Sequence, residues 1–275
     1  MSTSSVTDMK TVGGLFEHGI LSGNRSENAL TTIIFAGYLF NEHIFPDGSG
    51  IKILLNRICE GKHATSTVAI SARLSISFYV KPRDIIRKRC GLLSDGAKYG
   101  HGHYDVAAFY ENAAGKNTAV FFEIKYLSDV DPKQLMHQVR LAEQLKQEPE
   151  LNLEEIVFVT VATHANLKWT RAVRIDAAGR VEIVGMGELA SWISIKTWDD
   201  IALAVLDTAE LSEFHDRCAR RVLRYMADCQ DVKHLKSNGS LSTGSLRQLL
   251  TSSRAHVESF LSNERIIGHC AESRI

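Results

Sequence analysis

Tyr104-Asp-Val-Ala-Ala-Phe-Tyr110 and Ala119-Val-Phe-Phe-Glu-Ile-Lys-Tyr126 are two apolar stretches that each contain charged residues. Their β-branched and aromatic residues are typical of strands, and the turn-forming segment between them favours a hairpin. Because side chains alternate along a strand, Glu123 and Lys125 share one face, and Asp105 can lie beside them on the neighbouring strand. Two carboxylates and an ammonium group on one sheet surface are costly unless they pair or bind a metal ion. The two stretches therefore predict a functional site on a sheet.

The residue types at this site suit the hydrolysis of a phosphodiester bond. Asp105 and Glu123 supply the oxygen ligands that Mg²⁺ prefers, and the backbone carbonyl of Ile124 could add another. Lys125 could orient or deprotonate the attacking water, or balance charge on the phosphate. We therefore expect a Mg²⁺ site, in which Mn²⁺ can substitute. The alternative is that Glu123 and Lys125 form an ordinary pair on a half-exposed strand.

Helical and strand patterns alternate along most of the chain, which predicts an α/β domain with a mixed central sheet flanked by helices. Asp131-Pro132 is a typical helix start, and the apolar run at 154–162 is typical of a strand covered on both faces. The expected elements are a helix over 26–42, a short helix or strand over 51–59, strands within 67–80, strands over 104–110 and 118–127, a helix over 131–147, a strand over 154–162, a hairpin of 172–176 with 180–184, and a helix over 188–195.

The sequence divides into three parts. Residues 1–25 form an N-terminal segment, residues 26–197 the α/β core, and residues 198–275 a C-terminal helical region. Within that last part a polar linker near 236–244 separates a strongly helical stretch from a final helix at 245–261.

The order of these features resembles the PD-(D/E)xK nuclease superfamily, which has the restriction-endonuclease-like fold. That core contains a helix, strands carrying Asp and then Glu-x-Lys, a crossing helix and a further strand. The resemblance covers roughly residues 27–165, and it departs from the superfamily's usual motif in having Tyr104 rather than proline before the aspartate. It implies a restriction-endonuclease-like core and Mg²⁺-dependent hydrolysis of nucleic acid, with Asp105, Glu123 and Lys125 as catalytic residues.

Two further site positions follow from the resemblance. Many members carry a glutamate on the first helix that completes the metal shell; Glu27 is the expected residue, with Glu42 as its competitor and a role as a helix-start charge as the alternative. Many members also place a glutamine on the crossing helix. Gln134 and Gln138 lie four residues apart on one helix face, and we expect Gln138 to act in catalysis, against a surface role.

Basic residues predict where nucleic acid would bind, although the 32 basic and 32 acidic residues cancel. The densest basic clusters are residues 81–89 and an arginine ridge of Arg217, Arg221 and Arg224, which share a helix face. We expect the arginine ridge to contact phosphates, and His103 to contact phosphate or to move a proton. The alternatives are that the arginines pair with acidic residues one turn earlier, and that His103 is a loop residue.

These features together favour a DNA endonuclease of restriction or genome-defence type. An RNA or repair nuclease, and a binding protein that keeps the fold without catalysis, are the alternatives. A homodimer is expected if both strands of a duplex are cut, because that needs two sites. The chain has no apolar run of membrane length, no secretion-signal pattern at its start, and five scattered cysteines, so we expect a cytoplasmic protein that does not bind membranes.

Overall fold

The computed structural model describes residues 30–59, 68, 73–91, 102–126, 130–162, 173–175, 181–183 and 192–228. The chain divides into two compact units, Met1–Trp198 and Asp199–Ile275. The expected N-terminal segment 1–25, the linker 236–244 and the helix 245–261 lie outside the described residues. Among the described residues, no helix is both long enough and apolar enough to cross a membrane.

The described elements alternate between helices and strands in the first unit and are helical in the second. In chain order they are α1 (Thr32–Leu39), α2 (Ser49–Cys59), β1 (Ser75–Val80), α3 (Pro82–Cys90), β2 (Tyr104–Glu111), β3 (Asn117–Ile124), α4 (Pro132–Lys146), a 3₁₀ turn (Pro149–Leu151), β4 (Glu155–Ala162), β5 (Val173–Ile175), β6 (Val181–Ile183), β7 (Ile193–Thr197), α5 (Trp198–Ala209) and α6 (Glu213–Asp228).

A five-stranded mixed sheet forms the centre of the first unit, in the order β1-β2-β3-β4-β7. The strands β1, β2 and β3 pair antiparallel, whereas β4 is parallel to β3 and β7 is parallel to β4. Parallel neighbours need a crossover connection, and α4 supplies it between β3 and β4. Asp131 caps this helix, because its carboxylate accepts the N–H of Lys133 at 2.9 Å. The expected α/β fold with a mixed sheet flanked by helices is confirmed.

Helices cover both faces of this sheet. Phe35 of α1 packs edge-on against Phe122 of β3, with the ring centroids 5.4 Å apart. The next residue, Glu123, contacts side chains of α4 instead. Because neighbouring residues of a strand point to opposite faces, α1 and α4 lie on opposite sides of the sheet. This accounts for β4, in which every residue from Ile156 to Ala162 is buried.

The first helix is shorter and more widely coiled than its sequence pattern predicts. It ends at Leu39 rather than at residue 42, and it is π-helical from Thr32 to Leu39; at its end the N–H of Phe40 bonds to the carbonyl of Phe35 at 2.8 Å. Its packing is nearly all-round rather than along one stripe, since four consecutive residues, Thr32 to Phe35, are all buried. Glu42 therefore lies beyond the helix and is exposed.

One expected element is wrong in type. The predicted helix over 188–195 is contradicted at 193–195, where β7 begins and pairs in parallel with β4 through Phe158↔Ile193 and Thr160↔Ile195; residues 188–191 lie outside the described residues. An Ile-Ser-Ile pattern fits a strand as well as a helix, and the open edge of β4 supplies backbone partners that local propensity does not anticipate. The ambiguous segment at 51–59 is a helix, and the strand expected within 67–80 begins only at Ser75.

Candidate active site

Asp105 and Glu123 come together where the pairing of β2 and β3 ends. The last paired residues are Val106 and Phe122, so the next residue on each strand, Asp105 and Glu123, would be opposite one another. The Asp105 side chain replaces the missing backbone partner, because its Oδ2 accepts the N–H of Ile124 at 2.7 Å. The structure thus places an aspartate and the Glu-Ile-Lys segment in contact, as the sequence predicts.

Three side chains bond to the carboxylate of Glu123, which is only 2 % exposed. Oε1 accepts from Gln134 Nε2 at 2.7 Å and lies 2.6 Å from Lys125 Nζ, whereas Oε2 accepts from Gln138 Nε2. A buried carboxylate is tolerated only when it is paired and hydrogen-bonded in this way. The alternative of a half-exposed surface pair is therefore wrong for Glu123 and Lys125, because both side chains are buried.

Lys125 follows the end of β3, and its backbone is held from both sides. Its N–H donates to the carbonyl of Val161 at 2.7 Å, and its carbonyl accepts the indole N–H of Trp198 at 3.1 Å. Trp198 is itself buried, so the peptide of Lys125 has a fixed orientation. The side chain that starts from this anchored backbone contacts Glu123 through its ammonium group. The sequence assigns Trp198 no role in the site, since its contact depends on tertiary packing.

Gln138 is buried on α4 and links several parts of the site. Its Nε2 donates to the carbonyl of His103 at 3.0 Å as well as to Glu123, and its own backbone carbonyl accepts the Tyr104 hydroxyl at 3.2 Å. Burial raises the pKa of Tyr104 far above its usual value, so this hydroxyl remains a donor. The ring of Tyr104 also stacks on Phe121 at 4.3 Å. The alternative of a surface role for Gln138 is thereby excluded, because the residue is buried.

His103 lies at the open side of the site. Its Nε2 is 3.9 Å from Asp105 Oδ1, and its side chain is 52 % exposed, whereas that of Asp105 is 6 % exposed. A separation of 3.9 Å is too long for a hydrogen bond but allows a favourable charge interaction when the imidazole is protonated. His103 is thus placed between Asp105 and solvent; its contact with phosphate stays a prediction.

Tyr79 is a strained residue at the edge of the site. Val80 pairs with Tyr104 and Phe78 with Val106, so Tyr79 is opposite Asp105 across the β1–β2 ladder. Its φ is 49°, which is unfavourable for a bulky side chain, and its hydroxyl lies 3.4 Å from Thr32 Oγ1 on α1. Backbone strain of this kind is concentrated at functional sites. Nothing in the local sequence signals it, because tyrosine is an ordinary strand residue.

The donor set fits a hard divalent cation only in part. Asp105 and Glu123 are suitable oxygen ligands, and the carbonyl of Ile124 remains a prediction. Within the described ranges there is no cluster of three or more histidine, cysteine, aspartate or glutamate side chains that could hold a metal ion. The expected further ligand, Glu27, lies outside those ranges, and its competitor Glu42 is exposed beyond the end of α1.

The arginine ridge lies on α6, where one of its members, Arg217, bonds to Glu213 one turn earlier at 2.7 Å. Arg220, which is not part of the ridge, bonds to Asp216 in the same way at 2.8 Å. Arg221 is exposed, whereas the side chain of Arg224 lies outside the described set. The alternative of pairing along the helix is therefore realised for Arg217. Contact of the ridge with phosphate stays a prediction.

Comparison of the chain with protein-family models, with curated proteins and with solved structures finds no match. The assignment of a function therefore depends on the residues and contacts of the site itself.

Proposed function

We propose that this protein is a Mg²⁺-dependent nuclease that hydrolyses phosphodiester bonds, with DNA as its first expected target. The observation that carries the proposal is the buried contact of Lys125 with Glu123, beside an aspartate that binds the intervening peptide. A stable core does not need charged groups at this place, because well-packed apolar residues serve there at least as well. Groups of this kind in a buried cluster are characteristic of catalytic sites.

The topology supports the restriction-endonuclease-like interpretation. An antiparallel β1–β2–β3 meander, the crossover helix α4 and the parallel strand β4 follow the order expected of that core. Asp105 belongs to β2, Glu123 to β3 and Gln138 to α4, which are the three elements that carry the corresponding residues in the PD-(D/E)xK superfamily. The resemblance therefore extends from the motif to the elements on which its residues lie.

Each residue has a distinct part in the proposed reaction. Asp105 and Glu123 would hold Mg²⁺, with the carbonyl of Ile124 and Glu27 as the further expected ligands. Bound there, the cation would stabilise charge on the attacked phosphate and lower the pKa of a coordinated water. Lys125, whose Nζ adjoins Glu123, would stabilise negative charge on the phosphate as an ammonium group, or would take up the water's proton as a neutral amine after losing its own proton to solvent. Gln138 orients Glu123 through its amide.

A second candidate function is nucleic-acid binding without catalysis. The specific observation in its favour is that three side chains already contact the Glu123 carboxylate, as in a purely structural polar cluster. Gln134 and Gln138 donate hydrogen bonds to it, and Lys125 forms an ion pair with it. The two candidates differ in what the carboxylates do. A binding protein would bind nucleic acid and show no metal-dependent cleavage even as the wild type, whereas a nuclease would lose cleavage only on Asp105→Asn.

The proposed biological type is a restriction or genome-defence endonuclease. Cleavage of both strands of a duplex requires two sites, so we propose that the active species on double-stranded DNA is a homodimer. Sedimentation or light scattering with and without DNA tests the proposed homodimer separately from the cleavage activity. A repair nuclease or an RNA nuclease would use the same residues on a different substrate, and a substrate panel distinguishes them.

The experiment that tests the function is incubation of purified protein with plasmid, single-stranded DNA and RNA, each in Mg²⁺, Mn²⁺ or EDTA. The proposal predicts cleavage of DNA with Mg²⁺ or Mn²⁺ and none with EDTA. Cleavage of RNA alone would support the RNA nuclease. Binding with no cleavage of any substrate, in either metal, would support the binding protein.

A further inference from the structure

Two buried polar atoms next to Glu123 have no hydrogen-bond partner among the described residues. They are Oε1 of Gln138 and Oγ1 of Thr160, and the two residues are 2 % and 1 % exposed. An unpaired buried polar atom lowers stability, and native proteins leave few of them. Two of them beside one carboxylate indicate that another molecule completes their hydrogen bonding.

Both atoms belong to the surroundings of the same carboxylate. The amide of Gln138 bonds through Nε2 to Glu123 Oε2, and Thr160 pairs in register with Glu123 across the parallel β3–β4 ladder. Side chains that pair in register on parallel strands point to the same face, so Thr160 lies on the face that carries Glu123 and α4. The two unpaired atoms therefore belong to residues that adjoin Glu123, one on the helix and one on the neighbouring strand.

The orientation of the Gln138 amide is determined by its other contacts. Nε2 donates to two acceptors, the carbonyl of His103 and Glu123 Oε2. Exchanging the nitrogen and oxygen would set Oε1 against both acceptors, which is repulsive. The unpaired atom is thus an oxygen that can only accept a hydrogen bond, whereas the Thr160 hydroxyl can both donate and accept.

These requirements define the chemistry of the missing molecule. An acceptor-only oxygen needs an O–H or N–H donor, which a phosphate oxygen cannot supply. Water supplies it, and water bound to a divalent cation is an especially strong donor because the cation polarises it. Mg²⁺ in protein sites usually keeps several of its waters. A hydrated cation at Glu123 would therefore satisfy Gln138 and Thr160 together.

We propose that Thr160 and the Gln138 carbonyl oxygen hold the water ligands of the cation at Glu123, with Thr160 a residue that positions those waters. This inference rests on the proposed Mg²⁺ site. Thr160 does not itself bind the cation; it acts through water, as partners of metal ligands commonly do. Its substitution should therefore affect metal affinity without removing a carboxylate.

Thr160→Val removes the hydroxyl at nearly constant volume and is the direct test. Calorimetry should show Mg²⁺ binding weakened by about tenfold, the lower end of the effect of losing a partner of metal ligands. The melting temperature in EDTA should hold or rise, because an unpaired buried hydroxyl is removed. The rise in melting temperature on adding Mg²⁺ should shrink.

Thr118→Val is the matched control. Thr118 is buried on the same sheet, but its hydroxyl donates to the carbonyl of Lys116 at 3.2 Å. Its loss should lower the melting temperature and leave Mg²⁺ affinity unchanged. Thr160→Ser keeps the hydroxyl and should retain wild-type affinity.

Equal Mg²⁺ affinity in the wild type and Thr160→Val would overturn the inference and leave the proposed function standing. Loss of affinity in Thr160→Ser as great as in Thr160→Val would also overturn it, because a change of packing at this position, and not loss of the hydroxyl, would then account for the lower affinity. Absence of Mg²⁺ binding by the wild type would overturn the metal site and this inference together.

Discussion

The carboxylate of Asp105 accepts the backbone N–H of Ile124 at 2.7 Å, at the point where the β2–β3 ladder stops. The Asp105 side chain therefore has a structural role and a proposed chemical role. It satisfies an amide that has lost its strand partner, and it brings a negative charge to the segment that carries Glu123 and Lys125. Substitutions can separate these two roles, because asparagine keeps an acceptor oxygen and alanine does not.

Asp105→Asn should fold with nearly wild-type stability but lose Mg²⁺-dependent cleavage, since the amide oxygen still caps Ile124 while the charge is gone. Asp105→Ala should lose cleavage and also stability, by about 1–3 kcal/mol for a buried N–H left unpaired. Thermal and denaturant unfolding of the two variants measure the difference. Equal stability of the two variants would show that the contact with the N–H of Ile124 contributes nothing to the free energy of unfolding.

Lys125→Met should abolish cleavage while Mg²⁺ still binds, because the lysine is not a ligand and its charge opposes a cation at Glu123. Calorimetry should show affinity equal to or tighter than that of the wild type. Lys116→Met is the control, because it removes a lysine that pairs with Glu155 at 3.3 Å on the surface. It should change neither the cleavage nor the Mg²⁺ affinity. Loss of metal binding in Lys125→Met would contradict the role assigned to the lysine.

Gln134→Ala should tighten Mg²⁺ binding. Oε1 of Glu123 is occupied by Gln134 and Lys125, and a carboxylate oxygen has two lone pairs, so a cation reaching that oxygen must displace a donor. The neutral amide is the weaker of the two. The melting temperature should fall in EDTA and recover at saturating Mg²⁺. Gln144→Ala, at an exposed position of the same helix, is the control. An equal fall with and without Mg²⁺ would identify Gln134 as structural only.

Replacing the arginine ridge by alanine should weaken DNA binding and flatten its dependence on salt, because each phosphate contact releases counterions. The effect should be smaller for Arg217, whose guanidinium already bonds to Glu213, than for the exposed Arg221. Titrations at several salt concentrations measure the slope. If the slope does not change, the basic cluster at 81–89, whose basic residues are exposed, becomes the surface to test.

Much of the fold follows from local sequence pattern. The strands β2, β3 and β4 and the helix α4 have apolar periodicities, turns and a proline start that agree with one another. β7 could not be predicted in the same way, since its short Ile-Ser-Ile pattern becomes a strand only through pairing with β4. The π-helical winding of α1 likewise has no signal in a sequence pattern that predicts an ordinary helix.

The sequence predicts the charged residues of the candidate site, but not the residues that hold those charged side chains in place. Asp105, Glu123 and Lys125 stand out because charge is unusual in apolar strands. The sequence favours Gln138 over Gln134 as the site residue. In the structure both glutamines lie on one helix face and both bond to Glu123. Trp198 and Thr160 join the site through strand pairing and packing over long sequence distances, for which a single sequence has no local signal.

Cleavage of DNA by the wild type and Asp105→Asn, compared in Mg²⁺ and in EDTA at equal protein concentration, tests the central claim most directly. The account predicts metal-dependent cleavage by the wild type and loss of that cleavage in a variant that folds and still binds DNA. Cleavage by the wild type in EDTA, or equal cleavage by the variant in Mg²⁺, would contradict it.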